Sequence, residues 1–182
     1  MIFTPTTLND AWIIDLEKRG DERGFFARSM CKSEFDTHGL LSTFVQQNTS
    51  VSAEKGTVRG MHFQHGDAVE AKLVRCVKGA IVDIIVDLRA DSPSFMQHQA
   101  FELSATNYRQ LYVPPGFAHS FQSITDDVEV SYLVSAPYTP AAEFGLRYSD
   151  PRLGIAWPLP VSSISAKDAV WPLLETDSPA FF

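Results

Sequence analysis

Residues 71–89 read AKLVRCVKGAIVDIIVDLR, two β-branched runs meeting at Gly79, and their reading decides the fold. Runs of this length and composition, broken by a glycine, predict strands rather than helices. Side chains alternate across a strand, so Lys72 shares a face with Val74 and Cys76 before Lys78 at the turn, while Leu73, Arg75 and Val77 form the other face. An ammonium on an otherwise apolar face is costly unless it has partners or a ligand. The stretch therefore predicts both a β fold and a polar spot inside it.

Working outward, similar runs recur: TFVQQNTSVS (43–52), QLYVPPG (110–116), AHSFQSI (118–124) and VEVSYLVS (128–135). Their spacing, punctuated by Gly, Pro, Asn and Asp, predicts an all-β sandwich or barrel. Helix signals are few. SEFDTHGL opens with Ser33 and stops at Gly39, and Ser165-Ala166-Lys167-Asp168 resembles a capping sequence. There is no repeat, linker or low-complexity stretch, so residues 1–182 are expected to form one domain. Alternation turns Tyr132 inward with Val128, Val130 and Val134, puts Gln46 and Asn48 on the face of Phe44, and pairs His62 with Gln64. Several strands thus send one polar group each into a common interior, which is how a barrel lines a ligand cavity.

Composition narrows the partners. A formal charge of -7 and a pI near 5.1 argue against nonspecific binding to nucleic acid or to an anionic membrane. Any phosphate must be gripped locally. Cys31 and Cys76 make no disulfide framework or C-x-x-C site, and both read as buried free thiols. The first residues are acidic where a signal peptide is basic and then apolar, and no run approaches a transmembrane length, which leads us to expect a soluble cytoplasmic protein.

Two histidine motifs stand out. PPGFAHSF (114–121), taken alone, reads as a turn followed by a packed histidine. With VRGMHFQHG (58–66) it resembles the cupin motifs, which supply H-x-H with a glutamate and then P-x-G-x-x-H to a metal. Pro114, Gly116 and His119 match the second. The first reads His62-Phe63-Gln64, lacking its second histidine, and Lys72 would set an ammonium beside the cation. A metal-free cupin is expected, and His62 becomes a candidate proton acceptor. His65, beside Gly66, reads as a surface histidine.

GDERGFF (20–26), QQNTS (46–50), VRGMHFQ (58–64), KLVRCVKG (72–79), VDLRADSPSF (86–95), PPGFAHSFQ (114–122), YTPAAEFG (138–145), GIAWPLP (154–160) and SAKDA (165–169), in this order, resemble the dTDP-4-dehydrorhamnose 3,5-epimerase family along nearly the whole chain. The resemblance implies a cupin-type jelly roll with a few short peripheral helices, a homodimer, and action on a 4-keto-6-deoxy nucleotide sugar without metal or other cofactor. The absence of a G-x-G-x-x-G or P-loop motif agrees. On matching positions it makes His62 the base, oriented by Asp168, and Tyr132 the acid. It implies substrate contacts from Arg23, Phe26, Gln46, Gln47, Asn48, Arg59, Lys72, His119, Tyr138, Glu143 and Lys167. Where family members commonly carry a glutamate at the nucleotide end, this chain has Arg28; Ser120 replaces a usual glycine, and Tyr148-Ser149-Asp150 a usual Trp-Asn-Asp.

These residue types suit the chemistry. A C4 ketone acidifies the protons on C3 and C5, and removing either leaves an enolate with its charge on the C4 oxygen. Histidine, with an unperturbed pKa of about 6.5, accepts a proton near neutrality, and a bonded carboxylate fixes its tautomer. Tyrosine, with a pKa of about 10, stays protonated and returns a proton from the other face. Lys72 is a compact cation for the oxyanion, and Arg59 and Arg23 offer forked donors to a diphosphate. Plainer readings stand beside these: Asp168 as part of a helix cap, Tyr132 as a core tyrosine, Glu143 as a surface residue and Arg23 in a charged turn. An epimerase of C3 alone, an enzyme for another nucleotide, a non-catalytic sugar-binding cupin and a metal-dependent cupin oxygenase are the alternatives.

Overall fold

A computed structural model describes residues 1–174 and 181–182. The strands are Ile2–Pro5 (β1), Trp12–Asp15 (β2), Arg19–Asp21 (β3), Gly24–Phe26 (β4), Gln46–Ser52 (β5), Thr57–Gln64 (β6), Lys72–Lys78 (β7), Ala80–Asp87 (β8), His98–Ser104 (β9), Gln110–Val113 (β10), Phe117–Ser123 (β11), Val128–Val134 (β12), Glu143–Gly145 (β13) and Ser163–Ile164 (β14). Two short helices, Lys32–Thr37 (α1) and Ala166–Ala169 (α2), lie at the periphery. One sheet has the order β1-β2-β10-β7-β12-β5; the other has the order β13-β6-β11-β8-β9, with β14 added in parallel to β6. β3 and β4 form a separate two-stranded hairpin. The architecture is the all-β cupin-type jelly roll that the alternation and the resemblance predict.

The opening stretch becomes β7 and β8, which part company at Gly79 and enter different sheets. Gly79 holds φ +72°, and a Cβ there would lie 2.5 Å from Thr125 Oγ1, so the corner requires glycine. β8 is a near-continuous apolar run because both its faces are covered, with Ile81 and Ile85 toward the other sheet and Ile84 and Val86 on the outer side. Each such buried side chain contributes about 1.5–3 kcal/mol.

Between the sheets, Val74, Cys76, Ile81, Ile85, Leu111, Phe121, Val128 and Val130 form the main core, with Tyr132 packed at its edge. In the β7–β12 register Val130 opposes Cys76, Tyr132 opposes Val74 and Val134 opposes Lys72. The inward face of this pair therefore changes from apolar to polar along its length. Outer clusters cover both sheets: Phe35 of α1 packs with Ile14, Leu73 and Tyr112, while Leu146, Leu153, Trp157, Phe181 and Phe182 pack behind Met61 and Phe63.

Two local expectations need correction. α1 is capped at Cys31 rather than opened by Ser33, whose hydroxyl lies 3.2 Å from the Cys31 sulfur, and it closes at Gly39 with φ +70°. Cys31 is half-buried and not buried, because it stands at that exposed helix start. Cys76 is a fully buried free thiol, pushed up to about 11 chiefly by burial. No helix among the described residues is long and apolar enough to cross a membrane.

Candidate active site

The polar end of the sandwich opens into a cleft. A cavity of about 550 Å³ runs past Arg59, His119, Lys167 and Asp168, and an adjoining one of about 370 Å³ past Gln46, Asn48, Glu70, Tyr138 and Glu143. His62, Lys72 and Tyr132 line both. His62 and His119 stand on β6 and β11 of one sheet, whereas Lys72 and Tyr132 stand on β7 and β12 of the other. The cleft thus presents histidine from one wall and tyrosine with lysine from the opposite wall.

His62 Nε2 lies 2.6 Å from Asp168 Oδ1. An ionised carboxylate only accepts, so Nε2 carries the hydrogen in this bond, and in the neutral ring Nδ1 is the nitrogen with the lone pair. Asp168 belongs to α2, whose start is fixed by the Ser165 hydroxyl accepting from the Asp168 N–H at 3.0 Å. The capping reading and the catalytic reading are geometrically compatible: the backbone N–H of Asp168 is capped by Ser165, and its carboxylate is left to bond His62. Its other oxygen accepts from the Gly60 N–H at 3.3 Å. Burial pushes the Asp168 carboxyl up, but the hydrogen bond and charge of His62, helped by Gly60 and Ser165, outweigh it and hold it below the ordinary range. Gly60 has φ +114°, and a Cβ there would meet His119 O at 2.6 Å and Ser120 Cα at 2.9 Å. Ser120 donates its hydroxyl to Arg59 O at 2.9 Å, a bond that a glycine could not make.

His119 faces His62 directly across the β6–β11 ladder and bonds Asp83 through Nε2 at 2.9 Å. The packed reading and the site reading meet here, since its side chain is 11% exposed yet lines the cleft. Asp83 is fully buried, and its Oδ1 has no hydrogen-bond partner among the described residues. Tyr132 is raised above the usual phenol value, first by burial and then by the charge of Glu70, against Arg59. It stays protonated at neutral pH.

Lys72 is inward, as alternation predicts, and is 8% exposed. Its ammonium pairs with Glu70, the partner that its burial demands. Gln64, where a metal-binding cupin has its second histidine, is a buried clamp. It donates to Glu70 Oε2 at 3.1 Å and accepts from the Thr139 N–H at 2.6 Å. At the rim Lys167 bonds Glu143 at 2.7 Å and Tyr138 donates to Glu143 at 3.0 Å, so Glu143 is no plain surface residue. Burial raises the Glu143 carboxyl, but these two bonds outweigh it and hold it below the ordinary range. Gln46 donates to Asn48 at 2.8 Å and accepts from the Tyr138 N–H at 3.2 Å. Arg59 is braced by Ser52 Oγ at 3.0 Å and Val51 O at 2.6 Å.

Three expected contacts fall outside this cleft. Gln47 points to the opposite face of β5, where it bonds Ser131 at 3.0 Å, because alternation sends it away from Gln46 and Asn48. Arg23 and Phe26 lie on the β3–β4 hairpin; Arg23 pairs with Asp21, as the charged-turn reading has it, and Phe26 is 72% exposed. Arg28 bonds Glu34 at 3.0 Å. Two residues were missed. Glu70 is signalled by its place two residues before an inward lysine, and Asp83 by an acid inside an apolar run. Among the described residues no three His, Cys, Asp or Glu side chains converge as a metal site.

A model of the dTDP-4-dehydrorhamnose 3,5-epimerase family matches residues 5–176. The dTDP-4-dehydrorhamnose 3,5-epimerase of Salmonella typhimurium is 42% identical over 177 residues, 96% of each chain. The crystal structure of the Bacillus anthracis dTDP-4-dehydrorhamnose 3,5-epimerase with TDP and PPi bound is similar with a TM-score of 0.91 and 43% identity, covering 95% of this chain and 99% of that one. A dTDP-6-deoxy-D-glucose-3,5-epimerase of Legionella pneumophila in complex with dTDP-4-keto-L-rhamnose gives 0.88 and 37%, over 94% and 92%. Likeness carried along nearly the whole chain, and not only around the cleft, means that this protein belongs to the dTDP-4-dehydrorhamnose 3,5-epimerase family.

Proposed function

We propose that this chain is an isomerase that inverts C3 and C5 of dTDP-4-dehydro-6-deoxy-D-glucose, the step that leads toward dTDP-L-rhamnose and related deoxysugars. The observation that carries the reading is the placement of a histidine and a tyrosine on opposite sheets of one cleft. A ring lying between them loses a proton to one wall and regains one from the other, which is inversion.

His62 Nδ1 accepts the proton from the carbon beside the ketone, while Asp168 stabilises the imidazolium through Nε2. Lys72 meets the charge that develops on the C4 oxygen in a largely enclosed site. Tyr132 then donates to the opposite face of the carbanion, and the pair is reset by proton exchange. The chemistry uses these side chains alone and no cofactor. Arg59 and Lys167 give the larger cavity a positive lining for the diphosphate, with His119, Gln46, Asn48, Tyr138 and Glu143 as further substrate contacts. The TDP and PPi bound in the Bacillus structure and the dTDP-4-keto-L-rhamnose bound in the Legionella structure support a nucleotide sugar as the ligand.

The reading includes a homodimer of chains that each fold as one domain over residues 1–182, with Arg23 and Phe26 reaching the partner's cleft. An exposed phenylalanine on a two-stranded arm supports it, as do Val51 and Val77, left uncovered on the outer face of the first sheet. A cytoplasmic setting belongs to the same proposal and is checked by cell fractionation. The decisive experiment runs the enzyme on dTDP-4-dehydro-6-deoxy-D-glucose in heavy water. Deuterium at C3 and C5 is expected; label at neither carbon overturns the proposal, and label at C3 alone makes the enzyme a C3 epimerase.

A further inference from the structure

The cleft holds a carboxylate that the reaction above does not use. Glu70 lies two residues before Lys72, and its side chain is 9% exposed. One oxygen accepts from the Lys72 ammonium, and the other accepts from the Gln64 carboxamide at 3.1 Å. Gln64 Nε2 is also within reach of Ala68 O at 3.1 Å and Pro137 O at 3.2 Å, and its oxygen holds the Thr139 N–H. The carboxylate is therefore fixed from behind by a side chain that is itself 5% exposed.

An anion beside a developing enolate works against it, so its presence calls for a compensating role. Lysine carries its charge on a four-carbon stem with much rotamer freedom. A fixed carboxylate removes that freedom during folding, so the ammonium need not be ordered when the oxyanion forms. The same carboxylate adds to the burial that keeps Tyr132 protonated.

We propose that Glu70 is a positioning residue: clamped by Gln64, it fixes the Lys72 ammonium in the cleft and ties that placement to the 137–139 segment that carries Tyr138. The inference rests on the reading of Lys72 as the enolate stabiliser, and the test separates the two. The wild type is compared with E70Q, E70D, K72M and the E70Q/K72M double variant by deuterium wash-in at C3, with kcat and KM determined and folding checked by thermal unfolding. E70Q keeps an acceptor for Gln64 and loses the charge. Its kcat is expected to fall about tenfold to a hundredfold with KM changed less than about threefold, and E70D to recover part of the loss. In the K72M background E70Q should cost nothing more, because both act through one ammonium. Wild-type kcat in E70Q, equal losses in E70D and E70Q, or losses that multiply in the double variant would each overturn the role of Glu70. Wild-type kcat in K72M would instead remove the reading of Lys72 beneath it. Should E70Q fail to fold, the ratio of K72M to the charge-neutral double variant decides: equal kcat supports the role, and a further loss overturns it.

Discussion

Two histidine–carboxylate pairs stand side by side at this cleft, and they differ in exposure and in how the carboxylate is held. His62 with Asp168 and His119 with Asp83 both use Nε2, at 2.6 and 2.9 Å, and the histidines face each other across the same ladder. The His62 side chain is 35% exposed and that of His119 only 11%. Asp168 is held by a helix start and a glycine N–H, while Asp83 is entombed in a central strand. A proton carrier must be reached by substrate and must release what it takes, so the greater exposure of His62 favours its proposed role as the base. The deeper pair has the rigidity of a fixed hydrogen-bond donor. Pairing a histidine with a carboxylate does not make a base; access does.

The contrast is broken most directly by removing each histidine. His62→Ala is expected to lower the rate of C3 exchange by about 10²–10⁴-fold while leaving dTDP affinity nearly unchanged. Exchange at the wild-type rate in that variant, followed by NMR in heavy water, would show that the accessible histidine is not the base. His119→Ala is expected to act mainly on binding, raising KM about tenfold with kcat within about threefold, as steady-state kinetics would record. A collapse of kcat as deep as that of His62→Ala would erase the distinction between the pairs. The smallest effect tests how Asp168 is held. Ser165→Ala removes the cap of α2 and should destabilise the fold by about 1 kcal/mol in denaturant titration, with a modest loss of activity as the carboxylate loosens. A Cα shift without any stability loss would mean that the His62 bond alone anchors the helix.

Legibility in the sequence followed the range of the interaction. Strand alternation over 72–78 and 128–134 turns Lys72 and Tyr132 inward without any appeal to a family, because burial on a strand is a local pattern. Asp168 lies 106 residues from His62, and nothing near either names the other; only the family resemblance joined them. Glu70 and Asp83 carry local signals, since an acid among apolar neighbours needs a partner, but the partner of Asp83, His119, lies 36 residues on in the neighbouring strand and is invisible from one strand. Gln47 shows the limit of carrying a segment over whole. Gln46 and Asn48 enter the cleft, and the residue between them cannot follow on the same strand. Arg23 and Phe26 lie on the β3–β4 hairpin away from the cleft, and only the family resemblance makes them substrate contacts.

Gly60 has a consequence for how this enzyme can vary. Its missing side chain is the gap that lets the carbonyl of His119 and the backbone of Ser120 approach, and its N–H reaches Asp168. Both histidine pairs are thus registered against one another through a position that tolerates neither an added carbon nor an ordinary φ. Ser120 and Arg28, which differ from the residues common at those positions in the family, mark places where the sequence can be explored. Residue 60 is closed to such exploration, so the spacing of the two pairs should be inherited unchanged wherever the rest of the cleft diversifies.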